Sequence, residues 1–597
     1  MDMRARPSWR ERAFDADLAV EMTAAVRSPM LARLIAARGI GPDGLEEFLD
    51  PSLKRLAAPD TLPGISAAAA MIAPFVRDGR KIVVFGDYDA DGVCASAILV
   101  STLRSLGATV EAFIPERLSE GYGMTDASLN RLFSEHPEVA LVITVDNGIT
   151  SAAEIAVLKS RGVAVVVTDH HLPPVQEEFG GASSLPAADA LVDPKVASAP
   201  GCEDLCGAGV AFFLANALVS ALRDEAVAKG VLADNARISG PLLVLAGLAT
   251  VADLMALKGQ NRIIVTAALA AFRRFAPLGL RELIGRAARR ADVLVARDFA
   301  FLFAPRLNAA GRMASARLSY ELLMTDDREK ARDLAFRVDA HNTTRKTEEQ
   351  RMDGEARRQI AGMEGMDALV VADARCPAGT EPWHPGVAGI VASRLQETTH
   401  IPVAVVVGSH GSVRAPEGYN VRAALDAASD ALVRYGGHAA AGGFTVKPGR
   451  LDDFQRLFCA ACAECKANAP DAGAIPFDGW LSPSDITMEL YDDIHRMEPF
   501  GEGNPEPVFG LKGVSFSEVK PIGQDRRHAA FSFTDRNVPR AVWWVHDDRE
   551  KKYVEEILGR PNGDGVRYDV LFTLATSNYR TDARHVELRI VDVRHSP

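Results

Sequence analysis

Three short stretches of this chain end in residues that bind divalent cations: KIVVFGDYDADG (81–92), ALVITVDNG (140–148) and VAVVVTDHH (163–171). Together they supply Asp87, Asp89, Asp91, Asp146, Asp169, His170 and His171. Carboxylates at that density repel one another unless cations neutralise them, and a mixed set of carboxylates and imidazoles suits Mn2+ or a similar ion better than Ca2+. One Asp-rich turn is an ordinary helix N-cap, and Asp91 ahead of Gly92-Val93-Cys94-Ala95 has that reading by itself. Adjacent histidines are by themselves ordinary surface or core residues. Recurrence at three successive segments points instead to a metal cluster.

Each segment opens with a Val- and Ile-rich run too short for a helix and is followed by a polar helix start, the pattern of a parallel sheet. Such strands align their carboxyl ends, and that edge is where an open α/β sheet takes its ligand. The fold class is therefore α/β, with the seven residues converging on one spot.

DYDADG, VDNG and TDHH, in this order, resemble the first three motifs of the DHH phosphoesterase superfamily. GLATVADLMAL (247–257) resembles the segment that adds a further aspartate, here Asp253, and HPGVAGIVASRL (384–395) and RYGGHAAAGGF (434–444) resemble the two signatures of the DHHA1 domain. RGI and FLDPSLKRL near the N-terminus, IPERLSEGYGM (114–124), RLNAAGRM (306–313) and MEPFGEGNPEPVF (497–509) narrow the resemblance to the branch of single-strand-specific 5′ to 3′ DNA exonucleases.

The resemblance implies two divalent ions, Mn2+ or Mg2+. Asp146 bridges them, Asp89 binds one, and Asp91, His170 and Asp253 bind the other. Asp87 and Asp169 then orient ligands, and His171 contacts the scissile phosphate or the leaving group. Arg117, Ser412 and Arg414 match positions of a 5′-phosphate pocket, where fork-like guanidinium donors suit a terminal phosphate. Arg306, Asn308 and Arg312 belong to a segment expected as a loop facing the nucleic-acid backbone. His384, Gly436, Gly437 and His438 are expected to approach the phosphodiester chain. In one departure, many relatives carry a histidine four residues before the first metal aspartate, where this chain has Phe85. One ion would then lack an imidazole.

Pro/Gly punctuation and pattern changes divide the chain into a helical lead-in (1–60), a DHH domain (61–265) and a helical section (266–365). The last contains a long connecting helix over 325–360, capped by Thr325. A DHHA1 α/β domain (366–470) and a C-terminal β-barrel of the OB-fold type (475–597) follow. Phe531, Phe533, Trp543, Trp544 and Tyr579 are candidates for base stacking. Strand alternation turns Trp543 and Trp544 to opposite faces, so at most one is fully buried.

With 48% hydrophobic and 24% charged residues, the 597-residue chain has an ordinary globular composition. Its first residues lack a secretory pattern, which places it in the cytoplasm, and the uncharged run Leu205–Leu222 reads as a buried helix rather than a membrane span. Seven cysteines suit reduced thiols, and Cys459, Cys462 and Cys465 read as a helix stripe rather than an iron–sulfur site. A net charge of −12 is unusual for a protein that binds a polyanion, but Arg273, Arg274, Arg281, Arg286, Arg289, Arg290, Arg297, Arg306 and Arg312 concentrate positive charge in one segment. The expected partner is single-stranded DNA, with a helicase and a single-strand-binding protein as the further partners to look for, and no membrane. A monomer is expected. Two other readings stay open: a DHH phosphatase or short-RNA nuclease, and a non-catalytic replication scaffold.

Overall fold

The computed structural model describes all residues except 1–7, 122, 175–184, 234–238, 288–293, 362, 364, 466–473, 524–525, 546–547, 561–564, 578–583 and 597. The chain divides into two units, one of Leu56–Ala472 and one that joins Met1–Arg55 to Gly473–Pro597.

The first unit begins with a five-stranded parallel sheet: β1 (Ile82–Phe85), β2 (Val110–Phe113), β3 (Leu141–Val145), β4 (Ala164–Thr168) and β5 (Ala190–Val192). The spatial order is β2-β1-β3-β4-β5, so the winding reverses between β1 and β3. Both faces are buried, as a parallel sheet requires. Ile82 and Val84 of β1 pack into a core with α1 (Ile65–Arg77), α2 (Ala90–Ser105), α5 (Gly207–Ala228) and α6 (Ser239–Ala252). Val83 and Phe85 face α3 (Asp126–Glu135) and α4 (Ala152–Ser160). This alternation explains why β1 reads as an unbroken apolar run.

Helices α7 (Gly259–Phe275), α8 (Leu278–Arg286), α9 (Ala304–Met313) and α10 (Arg317–Met324) lead to α11 (Arg328–Ile360). The cap of α11 is Asp327, which accepts from the Lys330 amide, rather than Thr325. The Thr325 hydroxyl accepts from the Asp327 amide at 3.2 Å and so sits one step outside the helix.

A second sheet contains β6 (Leu369–Ala372), β7 (Val403–Val407), β8 (His410–Arg414), β9 (Leu432–Gly437) and β10 (Ala441–Val446), in the order β9-β10-β8-β7-β6. Helices α12 (Ala388–Thr399), α13 (Val421–Ala427) and α14 (Leu451–Cys465) complete this part. On α14, Cys462 is buried and the Cys459 thiol donates to the Ala368 carbonyl, so neither is set up as a cluster ligand. The side chain of Cys465 lies outside the described residues. No single described helix is long and apolar enough to cross a membrane, and the run 205–222 falls largely on α5, whose first turns are buried in the core.

The second unit is built on a seven-stranded mixed sheet, ordered 479–480, 509–514, 568–577, 585–595, 541–543, 528–533 and 516–522. Trp543 is buried and Trp544 is 47% exposed beside His528, while Phe531 and Phe533 are core. Tyr579 lies outside the described residues. The N-terminal helices Ala16–Val26, Pro29–Ala36 and Pro42–Leu49 place Met22, Val26, Leu31, Leu34, Ile35 and Phe48 in the same core as the sheet. The sequence sets these helices apart as a lead-in, but roughly 40 residues cannot bury such a stripe alone. Polar ties join the two ends of the chain. Arg12 pairs with Asp478 at 3.2 Å, the Trp9 indole donates to Asp592 at 2.7 Å, and Arg38 donates to Asn504 and to the Pro505 carbonyl. The GEGNPEP segment is thus the seat of Arg38, with Asn504 donating to the Met497 and Pro499 carbonyls.

A chain ending at Ala474 should aggregate. It removes the whole sheet from over Met22, Leu31, Leu34, Ile35 and Phe48, and each large apolar side chain contributes about 1.5–3 kcal/mol on burial. A 56–472 fragment should instead be monomeric and show one cooperative melt. Gel filtration and binding of a hydrophobic dye check both, and a monomeric, dye-silent 1–474 fragment would contradict the shared core.

Candidate metal centre and nucleic-acid groove

The winding reversal between β1 and β3 opens a crevice at their carboxyl ends, the position at which such sheets take ligands. The turn after β1 carries Asp87, Tyr88 and Asp89. Asp89 is the N-cap of α2 and accepts from the amides of Asp91 (3.0 Å) and Gly92 (3.1 Å). Asp87 accepts from the Tyr88 amide at 2.7 Å. A Cβ on Gly92 would stand 2.6 Å from the Asp87 Cβ, so the turn closes only around glycine.

Asp91, in the first turn of α2, is buried and bound by a second helix. Its two oxygens accept from the Gly207 amide (2.7 Å) and the Ala208 amide (2.8 Å) at the start of α5. That helix end offers unpaired N–H groups and the positive pole of its dipole. Asp146 follows β3 with φ +61°, a left-handed conformation uncommon outside glycine and tolerated best by asparagine and aspartate. A Cβ on Gly207 would fall 2.5 Å from the Asp146 Cβ.

At the end of β4, Asp169 organises the turn. One oxygen accepts from the Ile149 amide, and the other from the His170 amide and from His171 Nδ1 at 2.7 Å. Burial pulls the His171 imidazole down, but its bond to Asp169 and the charges of Asp169, Asp253 and Asp87 push it up to about 9. Burial alone would raise Asp169; the His171 bond and the amides hold it below the usual carboxylate range. His170 is shifted down by burial, and its Nε2 lies 3.1 Å from Asp146, 3.6 Å from Asp253 and 3.7 Å from Asp91.

Three donor groups result, each with ligand atoms within 4.8 Å of one another: Asp91, His170 and Asp253; Asp87, Asp89 and Asp146; and Asp146, His170 and His171. Asp146 belongs to two of them. Burial, followed by the charge of neighbouring aspartates, pushes Asp87 and Asp253 up to about 8 and raises Asp89 and Asp146 as well. A carboxylate cluster whose own repulsion drives it toward protonation fits divalent cations, which supply the missing positive charge. Asp87, expected only to orient ligands, offers an oxygen to the group that Phe85 leaves without an imidazole. The Phe85 ring is fully buried, stacked on Phe113 at 5.2 Å between centroids.

The DHH family N-terminal domain matches residues 81–235, the DHHA1 domain residues 368–464, and the RecJ OB domain residues 477–592. The single-stranded-DNA-specific exonuclease RecJ of Escherichia coli is 34% identical over 583 residues, covering 92% of this chain and 95% of that protein. The chain belongs to the RecJ family. RecJ of Thermus thermophilus is 36% identical over 551 residues, covering 88% of this chain and 73% of that protein. The crystal structure of T. thermophilus RecJ in complex with Mn2+ aligns at a TM-score of 0.80 with 31% identity, across all of this chain and 80% of that one. The Mg2+ complex aligns at 0.74 with 30% identity, across all of this chain and 79% of that one.

The segment RLNAAGRM, expected as a loop facing nucleic acid, is helical, and its residues divide by helical phase. Asn308, Gly311 and Arg312 share one face. Asn308 accepts from the Ala90 amide at 2.6 Å, bracing the metal-site turn, and a Cβ on Gly311 would lie 2.7 Å from the Tyr88 carbonyl. Arg306 lies about 200° around the helix from Asn308. It pairs with Asp339 of α11 at 2.9 Å and donates to Leu302, which makes it a tie between helices.

Arg312 is half-buried, donates to the Gly386 carbonyl, and is pulled down to about 10 by desolvation and then by Arg117. Arg414 is shifted down by the same two causes, and the Arg117 guanidinium lies 4.8 Å over the Tyr88 ring. A Cβ on Gly389 of α12 would meet Arg414 Nη2 at 3.2 Å and Ser412 Oγ at 3.7 Å. Arg117 and Arg312 thus act on Asp87 and Asp89, while Ser412 and Arg414 lie together over Gly389, with Arg414 in the field of Arg117. His384 spends Nδ1 on the Gly386 amide as the cap of the turn 385–387. Gly437, at φ +140°, is required by its own hairpin, where a Cβ would strike the Ala441 carbonyl at 2.4 Å and the His438 amide closes the turn onto Ala441. Around Gly436 nothing beyond its chain neighbours lies within 4 Å of an added Cβ among the described residues.

Sequence reasoning missed Gly207, Gly389 and Asp193. Asp193 directly follows β5, accepts from the Lys195 amide with one oxygen, and has its other oxygen buried without a hydrogen-bond partner among the described residues. Burial pushes it up to about 7. The rule that flagged Asp146 and Asp169, an acid at a strand end, would have found it.

Asp146→Ala should abolish hydrolysis without unfolding the protein, because relief of one repelling charge offsets the strain of alanine in the left-handed conformation. Mn2+ at about a hundred times its dissociation constant should stabilise wild type by about 2.7 kcal/mol and the variant far less. Calorimetry with and without Mn2+ checks this; equal stabilisation of both proteins would remove Asp146 from the metal site.

Proposed function

We propose that this protein is a divalent-metal-dependent exonuclease that hydrolyses single-stranded DNA from the 5′ end and releases nucleotides. One observation carries the reading: a mostly buried cluster of carboxylates and imidazoles lies in the same unit as a group of three half-buried arginines, two of which act on its aspartates. The family's curated members are single-stranded-DNA-specific exonucleases, which supports the substrate.

Asp89, Asp87 and Asp146 would hold one ion and Asp91, His170 and Asp253 the other, with Asp146 shared. Two such ions, Mn2+ or Mg2+, supply charge neutralisation at the scissile phosphate and a nucleophile at neutral pH. The protein's own contribution is positional. Asp169 fixes the His171 ring through Nδ1 and favours its charged form, which would donate to a phosphate oxygen or to the departing oxygen. The first turn of α5 holds Asp91 by two amides and prevents it from rotating away.

Arg117, Arg312, Ser412 and Arg414 form a donor set for a terminal phosphate. Planar guanidinium forks suit its oxygens, and arginines that burial has desolvated bind an anion more strongly than exposed ones. An end phosphate held at a fixed distance from the cluster would set the bond that is cut, which supports an exonuclease over an endonuclease. A phosphatase on mononucleotides would have no use for the RecJ OB domain matched over 477–592. The exposed Trp544 beside His528 in that domain suits stacking with unpaired bases.

A strand of this kind is produced by duplex separation and coated by single-strand-binding protein, so a helicase and that protein are the proposed partners of a monomeric cytoplasmic enzyme in repair and recombination. End-labelled single strands blocked at either end, incubated with Mn2+, test the reading directly; degradation of 5′-blocked but not 3′-blocked strands would reverse the polarity. Arg414→Ala should lower the preference for a 5′-phosphate over a 5′-hydroxyl end by about tenfold, the worth of one charge-assisted hydrogen bond. An unchanged ratio of rates on the two ends would give Arg414 another role.

A further inference from the structure

Helix α6 ends in an unusual way directly at the metal cluster. The Met255 amide bonds to the Thr250 carbonyl at 3.1 Å and the Leu254 amide to the Val251 carbonyl at 3.3 Å. These two bonds define a Schellman cap, whose reversing residue takes a left-handed conformation and is usually glycine, sometimes asparagine. Here it is Leu254, at φ +56°. The residue before it is Asp253, whose oxygen lies 3.6 Å from His170 Nε2. The turn itself is explained, because it presents Asp253 to the cluster. The leucine side chain is not, because glycine would make the same turn without steric cost.

Nor is the side chain spent on packing. Leu254 is 70% exposed, the most exposed leucine among the described residues. Two further exposed leucines also follow site residues directly: Leu172 after His171, at 65%, and Leu118 after Arg117, at 51%. Apolar side chains held in water at the edge of a charged site are unfavourable to the free protein. An apolar surface of the substrate would cover them, and in a single-stranded nucleic acid that surface is the face of an unpaired base. Every base has such a face, so the contact tolerates any sequence, whereas a base stacked between two neighbours in a duplex has both faces covered.

We propose that Leu254 is a specificity-determining residue that packs against the unpaired base flanking the scissile phosphate. This rests on the exonuclease reading above and adds to it a contact that tells unpaired from paired ends. Leu254→Gly and Leu254→Asn test it, since both residues suit the left-handed turn and should melt no lower than wild type. The substrates are a 5′-phosphorylated single strand and the same strand with its first two nucleotides abasic. On the ordinary strand the variants should raise KM by about tenfold, the equivalent of one stacked base, with kcat little changed. Leu254→Met should restore the wild-type KM. On the abasic-ended strand, wild type and variants should share one kcat/KM. Wild-type KM in the glycine variant, or an equal loss on both strands, would overturn the proposal. A wild type that leaves the ordinary strand intact would overturn the exonuclease reading, and this assignment with it.

Discussion

Five aspartates brought together at one sheet edge repel one another, and much of the first unit is arranged around that repulsion. Asp87, Asp89, Asp91, Asp146 and Asp253 are mostly buried, where each charge is poorly screened. Two helix N-termini meet them. The start of α2 binds Asp89 and the start of α5 binds Asp91, so backbone amides offset part of the charge without side-chain cations. The remaining charge is what gives the site its affinity for divalent ions. Local conformations that would otherwise be disfavoured, such as the left-handed Asp146, persist because the surrounding packing fixes them.

The same constraint explains which glycines surround the site. Gly92 leaves room for the Asp87 backbone, Gly207 for Asp146, and Gly311 for the Tyr88 carbonyl. Each lets one element approach the metal-site turn more closely than any side chain would allow. The cluster is therefore held by α2, α5 and α9 together, and a change in any of these helices reaches the aspartates through contacts of backbone on backbone.

The parts of this arrangement visible in the sequence were the ones with short-range signatures. A four- or five-residue apolar run followed by an acid marks a strand end, and that rule located Asp87, Asp89, Asp91, Asp146 and Asp169. The fold class followed from the same runs. What escaped depends on long-range packing. Only helical phase and the position of α11 separate Arg306, tied to Asp339, from Arg312, which faces Arg117. The N-terminal helices look independent because their partner strands lie more than 400 residues away in the chain. Parity along a strand did separate Trp543 from Trp544, because it is a local property. Phe85 announced a missing imidazole, but the neighbouring contribution of Asp87 required the turn geometry.

The acidic balance of the chain is compatible with a polyanionic substrate once the arginines are sorted by partner. Arg286 and Arg306 share Asp339, and Arg345 pairs with Glu349, which also holds Arg394. These cations are neutralised within the fold and add little attraction for phosphate. Arg312 and Arg414 are different: the charge that bears on each most is that of Arg117, and burial has already removed part of their water. Much of the positive potential relevant to a strand is thus concentrated beside the metal cluster. The net charge of −12 over the whole chain then discourages non-specific binding of a polyanion elsewhere. An enzyme that acts at strand ends gains from that distribution, because attraction is strongest where a terminal phosphate and the scissile bond can be held at once.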